Sequence, residues 1–217
     1  MHNVHVYGDS HWRVFFPSVN HGSPGLFHEQ NGIRMIDMVA NELSGATMYG
    51  LLNGNSKNGA RRRILGDLDA IGGVDNIALT FGEVDARYHS DRYFVDGRFS
   101  AGRAFDLLAR FKRFIDEDLI WSRRVRRNVF VYTGYNYPQW DRTLLQPGIP
   151  IGSRITAANF MNEWMQRLMP TILCNNDMVK MVFCNPISDD DVSSDGVHLI
   201  PERVFPRVFA QLKDYLR

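Results

Sequence analysis

The sequence predicts an α/β protein, a three-layer α/β/α sandwich around a five-stranded parallel sheet. Three observations carry that expectation. Five short apolar runs rich in β-formers punctuate the chain, at residues 4–7, 47–52, 76–81, 128–133 and 179–184. Most are continuous rather than alternating, as strands covered on both faces require. Longer segments with helical spacing lie between them, which calls for right-handed crossover connections.

Taken in order, the first strand runs directly into Gly8-Asp9-Ser10-His11. Residues 32–43 then carry Ile33, Ile36, Val39, Ala40 and Leu43 at helical spacing, ahead of the second run. Residues 60–71 repeat the pattern with Ile64, Leu65, Leu68 and Ile71 before the third. A longer helix is expected over residues 100–123, burying Phe105, Leu108, Phe111, Ile115 and Leu119. Its end, Arg123-Arg124-Val125-Arg126-Arg127, reads as cations at a helix C-terminus. Residues 156–173 form the next helix, interrupted near Pro170, and residues 201–216 the last. There Pro201 suits the first helical position and Glu202 the positive end of the dipole.

With 217 residues and 44% hydrophobic content, residues 1–217 can fill one domain, and no repeat or composition break divides them. A formal net charge of +1 points to neither nucleic acid nor an anionic membrane as partner. No run approaches the ~20 apolar residues of a membrane span, and no leader is seen, so a cytoplasmic location is expected. Cys174 and Cys184, without a disulfide framework, read as reduced and buried. No metal or organic cofactor is implied.

Two long segments are expected as loops. Residues 15–30 are rich in Pro, Gly, His and Asn; residues 135–152 hold Tyr135, Asn136, Tyr137 and Trp140. Loops at the carboxyl ends of strands overhang the site of an open α/β sheet. Aromatics beside amides suit a hydroxylated ring such as a sugar; equally, they can pack on the loop's own prolines.

The chemistry lies at the two ends of the chain. A serine hydroxyl is a poor nucleophile unless a base stands within hydrogen-bond reach and a third group fixes that base. Ser10 follows the first strand. Asp195 and His198 stand three apart in Ser194-Asp195-Gly196-Val197-His198, after the fifth strand and before the last helix. That spacing lets a carboxylate hold one ring nitrogen while the other faces outward.

This arrangement resembles the SGNH hydrolases, the family of GDSL-type esterases and lipases. The resemblance rests on Gly8-Asp9-Ser10, on a glycine after the second strand, and on the closing Asp195 to His198. It spans the whole chain, and it implies a flavodoxin-like sheet and ester hydrolysis through an acyl-serine. Ser10, His198 and Asp195 become nucleophile, base and orienting carboxylate. Within Leu52-Asn53-Gly54-Asn55, Gly54 is the implied second-block glycine, with Gly50 in reserve. The amides of Ser10 and Gly54 would then hold the oxyanion.

The third block departs from the family pattern. Where that family carries Gly-x-Asn-Asp, this chain has Gly82-Glu83-Val84-Asp85. Valine cannot donate, and loss of one oxyanion donor costs ~3 kcal/mol. Arg87 is the first candidate to fill the place, followed by Asn53 and Asn55. Asp9, His11, Glu83, Asp85 and His89 stand near the same strand ends and are candidate substrate contacts, with Tyr135, Asn136, Tyr137 and Trp140 from the later loop. The expected substrate is a small-molecule or glycan ester, most plainly an O-acetylated carbohydrate. The rival expectation is a glycan-binding or assembly protein that kept the fold and lost turnover. An Asp9-x-His11 metal site is not expected, because the later histidine elements of metallophosphoesterases are absent from the sequence.

Overall fold

The computed structural model describes residues 2–16, 26–31, 34–43, 45–82, 85, 94–95, 98–133, 167–184, 188–191 and 199–216. A six-stranded sheet forms the middle layer. Its strands are β1 (His2–Gly8), β2 (Leu26–Asn31), β3 (Arg34–Glu42), β4 (Val74–Thr80), β7 (Val125–Thr133) and β8 (Val179–Phe183), in the order β2-β3-β1-β4-β7-β8. Two short strands, β5 (Phe94–Val95) and β6 (Arg98–Phe99), pair separately. The five strands from β3 to β8 are parallel, and β2 adds an antiparallel edge. The parallel set therefore has the flavodoxin-like order 2-1-3-4-5.

Alternation along each strand feeds a separate core on each face. Val4 and Val6, Ile36 and Met38, Ala78, Phe130 and Tyr132, and Val182 point to one side. They meet the last helix, α4 (Pro201–Tyr215), through Val204, Phe205, Val208 and Leu212, and the 3-10 helix Ser10–Phe15 through Trp12 and Phe15. Tyr7, Ile77, Leu79, Val129, Val131 and Met181 point to the other side. There α1 (Met48–Leu52), α2 (Ala60–Ala70), α3 (Ala101–Arg113) and the helical residues 167–173 close the third layer.

Several local expectations are corrected. The second parallel strand is β3, within the segment read as a helix, and residues 47–52 form α1 instead of a strand. Ile36, Met38 and Ala40 share a face at period two, a pattern hidden under the 3.6 spacing of Ile36, Val39, Ala40 and Leu43. In the 47–52 run the β-branched residue is Thr47, which is an N-cap: its hydroxyl accepts from Gly50 N at 2.7 Å. The loop expected over residues 15–30 instead contributes β2, which pairs with β3 as a hairpin.

In α3 the buried face is Ala104, Leu107, Leu108 and Phe111, while Phe105 lies one residue round the helix and is half exposed. Beyond it, Phe114–Trp121 continues as a π-helix burying Phe114, Ile115 and Leu119. The basic run follows the end of this π-helix, where Arg124 Nη1 donates to Asp118 O at 3.1 Å, and its last three residues open β7. Arg124 also pairs with Asp69 of α2, and Arg126 and Arg127 with Asp75 of β4. The helix expected to break at Pro170 runs through it, with Cys174 N donating to Pro170 O. Cys184 is buried as expected, but Cys174 is exposed, one position past Leu173, which faces the core.

β8 ends the sheet, and α4 covers its outer margin. The Gln211 side chain accepts from Phe183 N at 2.9 Å and donates to Phe183 O at 2.6 Å, and Tyr215 Oη donates to Met181 O at 3.2 Å. Side chains four apart on the helix thus meet backbone groups two apart on the strand. Among the described residues no helix is long and apolar enough to cross a membrane.

Candidate active site

β1 lies between β3 and β4, where the chain, having laid β3 on one side, crosses to lay β4 on the other. The carboxyl ends of strands at such a reversal form the crevice in which open α/β sheets place ligands. Gly8 closes β1 there, in register with Glu42 on one side and Thr80 on the other. Leu43 N donates to Gly8 O at 2.8 Å, and Asp9 N donates to Thr80 O at 3.2 Å. A Cβ on Gly8 would lie 1.6 Å from Thr80 Oγ1 and 2.5 Å from Thr80 O. Glycine is required here by close approach to the neighbouring strand.

Ser10 opens the 3-10 helix immediately beyond, so its main chain is fixed at the reversal point. Asp9 caps that helix: Oδ1 accepts from His11 N at 2.9 Å and stands 3.2 Å from His11 Nδ1. Both side chains are buried and turned onto one another beneath the serine turn. Trp12 packs edge-on against Phe16 at 5.3 Å, and Phe15 against Tyr132 at 6.0 Å, anchoring the helix in the core.

Asp85 is fully buried, and its carboxylate accepts from Met48 N at 2.5 Å and Tyr49 N at 3.0 Å. It supplements the Thr47 cap on α1, and so ties the chain beyond β4 to the chain beyond β3. The sequence suggested a substrate contact for Asp85; the bonds seen here are to the start of α1. Gly54 and Asn53 lie past α1. Gly54 is exposed, and Asn53 Oδ1 accepts from Asn55 N at 3.1 Å within the turn. They line a groove of about 500 Å³ beside α2 with Arg61, Arg62, Asp69 and Arg124.

Because β3 is the second parallel strand, the glycine that follows it is Gly45, at φ +65°, two residues after the Leu43 amide that binds Gly8. The sequence signal was present in Ser44-Gly45-Ala46 ahead of the Thr47 cap, but it was masked by reading residues 47–52 as a strand. Glu83, Arg87, His89, Tyr135, Asn136, Tyr137, Trp140, Asp195 and His198 lie outside the described residues, as does Val84. Leu199, next to His198, is buried in the same cluster as Trp12, Phe15 and Phe16. Among the described residues no cluster of three or more His, Cys, Asp or Glu side chains could hold a metal ion.

No family model and no curated protein matches the sequence. Solved structures do match it over nearly the whole length. The aryl esterase of M. smegmatis aligns at 11% identity and a TM-score of 0.56, covering 99% of this chain and 100% of that one. The fold is shared with esterases. A carbohydrate acetylesterase from Sinorhizobium meliloti aligns at 14% identity and a TM-score of 0.51, covering 99% and 98%. A catalytic mutant of an acetylxylan esterase from Geobacillus stearothermophilus aligns at 14% and 0.52, covering 97% and 93%.

Proposed function

We propose that the protein, read as one unit over residues 1–217, is a serine esterase of the SGNH type acting on O-acetyl groups of a carbohydrate. The observation that carries this reading is the fixed place of Ser10, two residues beyond the Gly8 clamp at the strand-order reversal. The burial of Leu199 in the same core cluster as Trp12, Phe15 and Phe16 supports it. Two of the neighbours with this fold are a carbohydrate acetylesterase and an acetylxylan esterase, which supports the acetyl substrate class.

The chemistry then runs in two balanced halves. The Ser10 hydroxyl adds to the ester carbonyl as its proton passes to His198, and Asp195 stabilises the imidazolium that forms. The tetrahedral adduct collapses by breaking the bond to the alcohol oxygen, which leaves with the proton from His198. Water next adds to the acyl-serine, giving its proton to His198. Collapse releases the carboxylic acid, and the proton returns to Ser10. The amides of Ser10 and Gly45 are the proposed oxyanion donors, Gly45 replacing Gly54 because it follows the true second strand. Arg87 remains the proposed donor in place of the side chain that Val84 lacks, and Tyr135, Asn136, Tyr137 and Trp140 the proposed sugar contacts.

A fluorophosphonate probe tests the reaction class. Prompt labelling is expected on Ser10, lost in Ser10→Ala and reduced about 10³-fold or more in His198→Ala. A folded protein that never labels would instead support the glycan-binding alternative. Acetylated sugars set against long-chain esters test the substrate, and preference for long chains would overturn the carbohydrate assignment.

A further inference from the structure

The segment that carries Asp195 and His198 is bounded by groups bonded to each other and to the last helix. Ile200 N donates to Asp191 O at 2.7 Å, joining the two ends of the segment. The buried Asp191 carboxylate accepts from Ser188 N at 2.9 Å through Oδ2, and the same oxygen meets the Arg207 guanidinium at 2.9 Å. Arg207 is the first of three residues spaced by four along α4, and the next two, Gln211 and Tyr215, hold the margin of β8. α4 also packs on the 3-10 helix that begins with Ser10. One helix therefore serves as a common frame for the end of β8, the bounds of the Asp195–His198 segment and the serine turn.

A partly buried carboxylate–guanidinium pair is weak evidence for stability, because desolvation and solvent screening offset much of its attraction; fixing one conformation is the better-attested use. We propose that Asp191, held by Arg207, is a positioning residue that sets the Asp195–His198 segment against Ser10. The assignment rests on the esterase reading above. Burial pushes the Asp191 carboxyl up, but the Ser188 amide and the Arg207 guanidinium outweigh it and hold it below the ordinary carboxylate value. The carboxylate therefore stays ionised at any pH at which a histidine base works.

The test compares the full-length protein with Asp191→Asn, Arg207→Met and Arg207→Lys, using p-nitrophenyl acetate hydrolysis, thermal melting and the His198 ring signals by NMR, assigned by their loss in His198→Ala. Asp191→Asn and Arg207→Met are expected to lower kcat about 10- to 100-fold with KM changed less than about twofold. Arg207→Lys, which keeps a cation for the Asp191 carboxylate, is expected to restore kcat to within about threefold of wild type. The His198 signals should shift in the first two variants at temperatures well below their melting points. Unchanged kcat and unshifted His198 signals in a hydrolysing enzyme would overturn the positioning role while leaving the esterase reading intact. A wild type that neither hydrolyses the ester nor labels, yet whose His198 signals shift in Asp191→Asn, would sink the esterase reading and keep the positioning role.

Discussion

At the scale of single residues, the geometry of the Gly-Asp-Ser turn depends on an atom that Gly8 lacks. Its missing Cβ is the space taken by Thr80, so the strand that presents Ser10 lies against its neighbour with no tolerance. Gly8→Ala is expected to cost about 3 kcal/mol by overpacking, measured by urea unfolding. Thr80→Ala in the same chain should recover only part of that loss. It removes Oγ1, but Thr80 O remains 2.5 Å from the new methyl and Thr80 Cβ 2.8 Å from it. Full recovery would show that the hydroxyl alone set the constraint. The Gly-Asp-Ser turn was legible because its residue types and its place after an apolar run are local facts. Thr80, which explains the glycine, is 72 positions away, and nothing in its surroundings advertises the contact. Asp9 and His11 show the limit of such local reading. Their place beside Ser10 suggested substrate contact, and only the structure shows that Asp9 caps the turn and meets the His11 ring.

At the scale of elements, the exchange of β3 with α1 shows where periodicity runs out. Ile36, Val39, Ala40 and Leu43 fit one helical face, and Ile36, Met38 and Ala40 fit one strand face. The decision falls to partners: β1 on one side and β2 on the other satisfy the β3 backbone along its length. Conversely, the five residues of α1 are too few to form a helix alone, and it persists because both ends are bonded from outside. Thr47 and Asp85 hold its start, and Arg110 donates to Leu52 O at 2.8 Å near its end. Asp85→Ala leaves two amides without acceptors and is expected to cost about 3 kcal/mol, against about 1 kcal/mol for Thr47→Ala. Hydrogen exchange at Met48 and Tyr49 would separate the two, since only Asp85→Ala should deprotect both amides. If Gly45 supplies an oxyanion donor, the same variant should also lose esterase rate, because Gly45 lies just ahead of this helix.

At the scale of the molecule, the layered plan was readable because strand runs and crossover helices alternate along the chain in sufficient number. Misreading one strand and one helix left the count of parallel strands unchanged. The candidate site was readable as three residue types at two chain ends, but not as a position, since it depends on β1 lying inside the sheet. Two cores on opposite faces also make a quantitative claim. Leu68→Ala, under α2, and Leu212→Ala, under α4, should each cost about 2–5 kcal/mol. Because the sheet separates them, their effects should add within about 0.5 kcal/mol. A larger coupling, measured by chemical denaturation of the double variant, would mean that the sheet transmits strain between its faces. The covering of β8 has a separate consequence. Phe183 already has both its outward backbone groups matched by a side-chain amide that imitates an adjoining strand, so an incoming extended peptide must first evict Gln211. That flank of the molecule is closed to recruitment by strand exchange, fibril templating or β-augmentation for as long as the final helix stays docked.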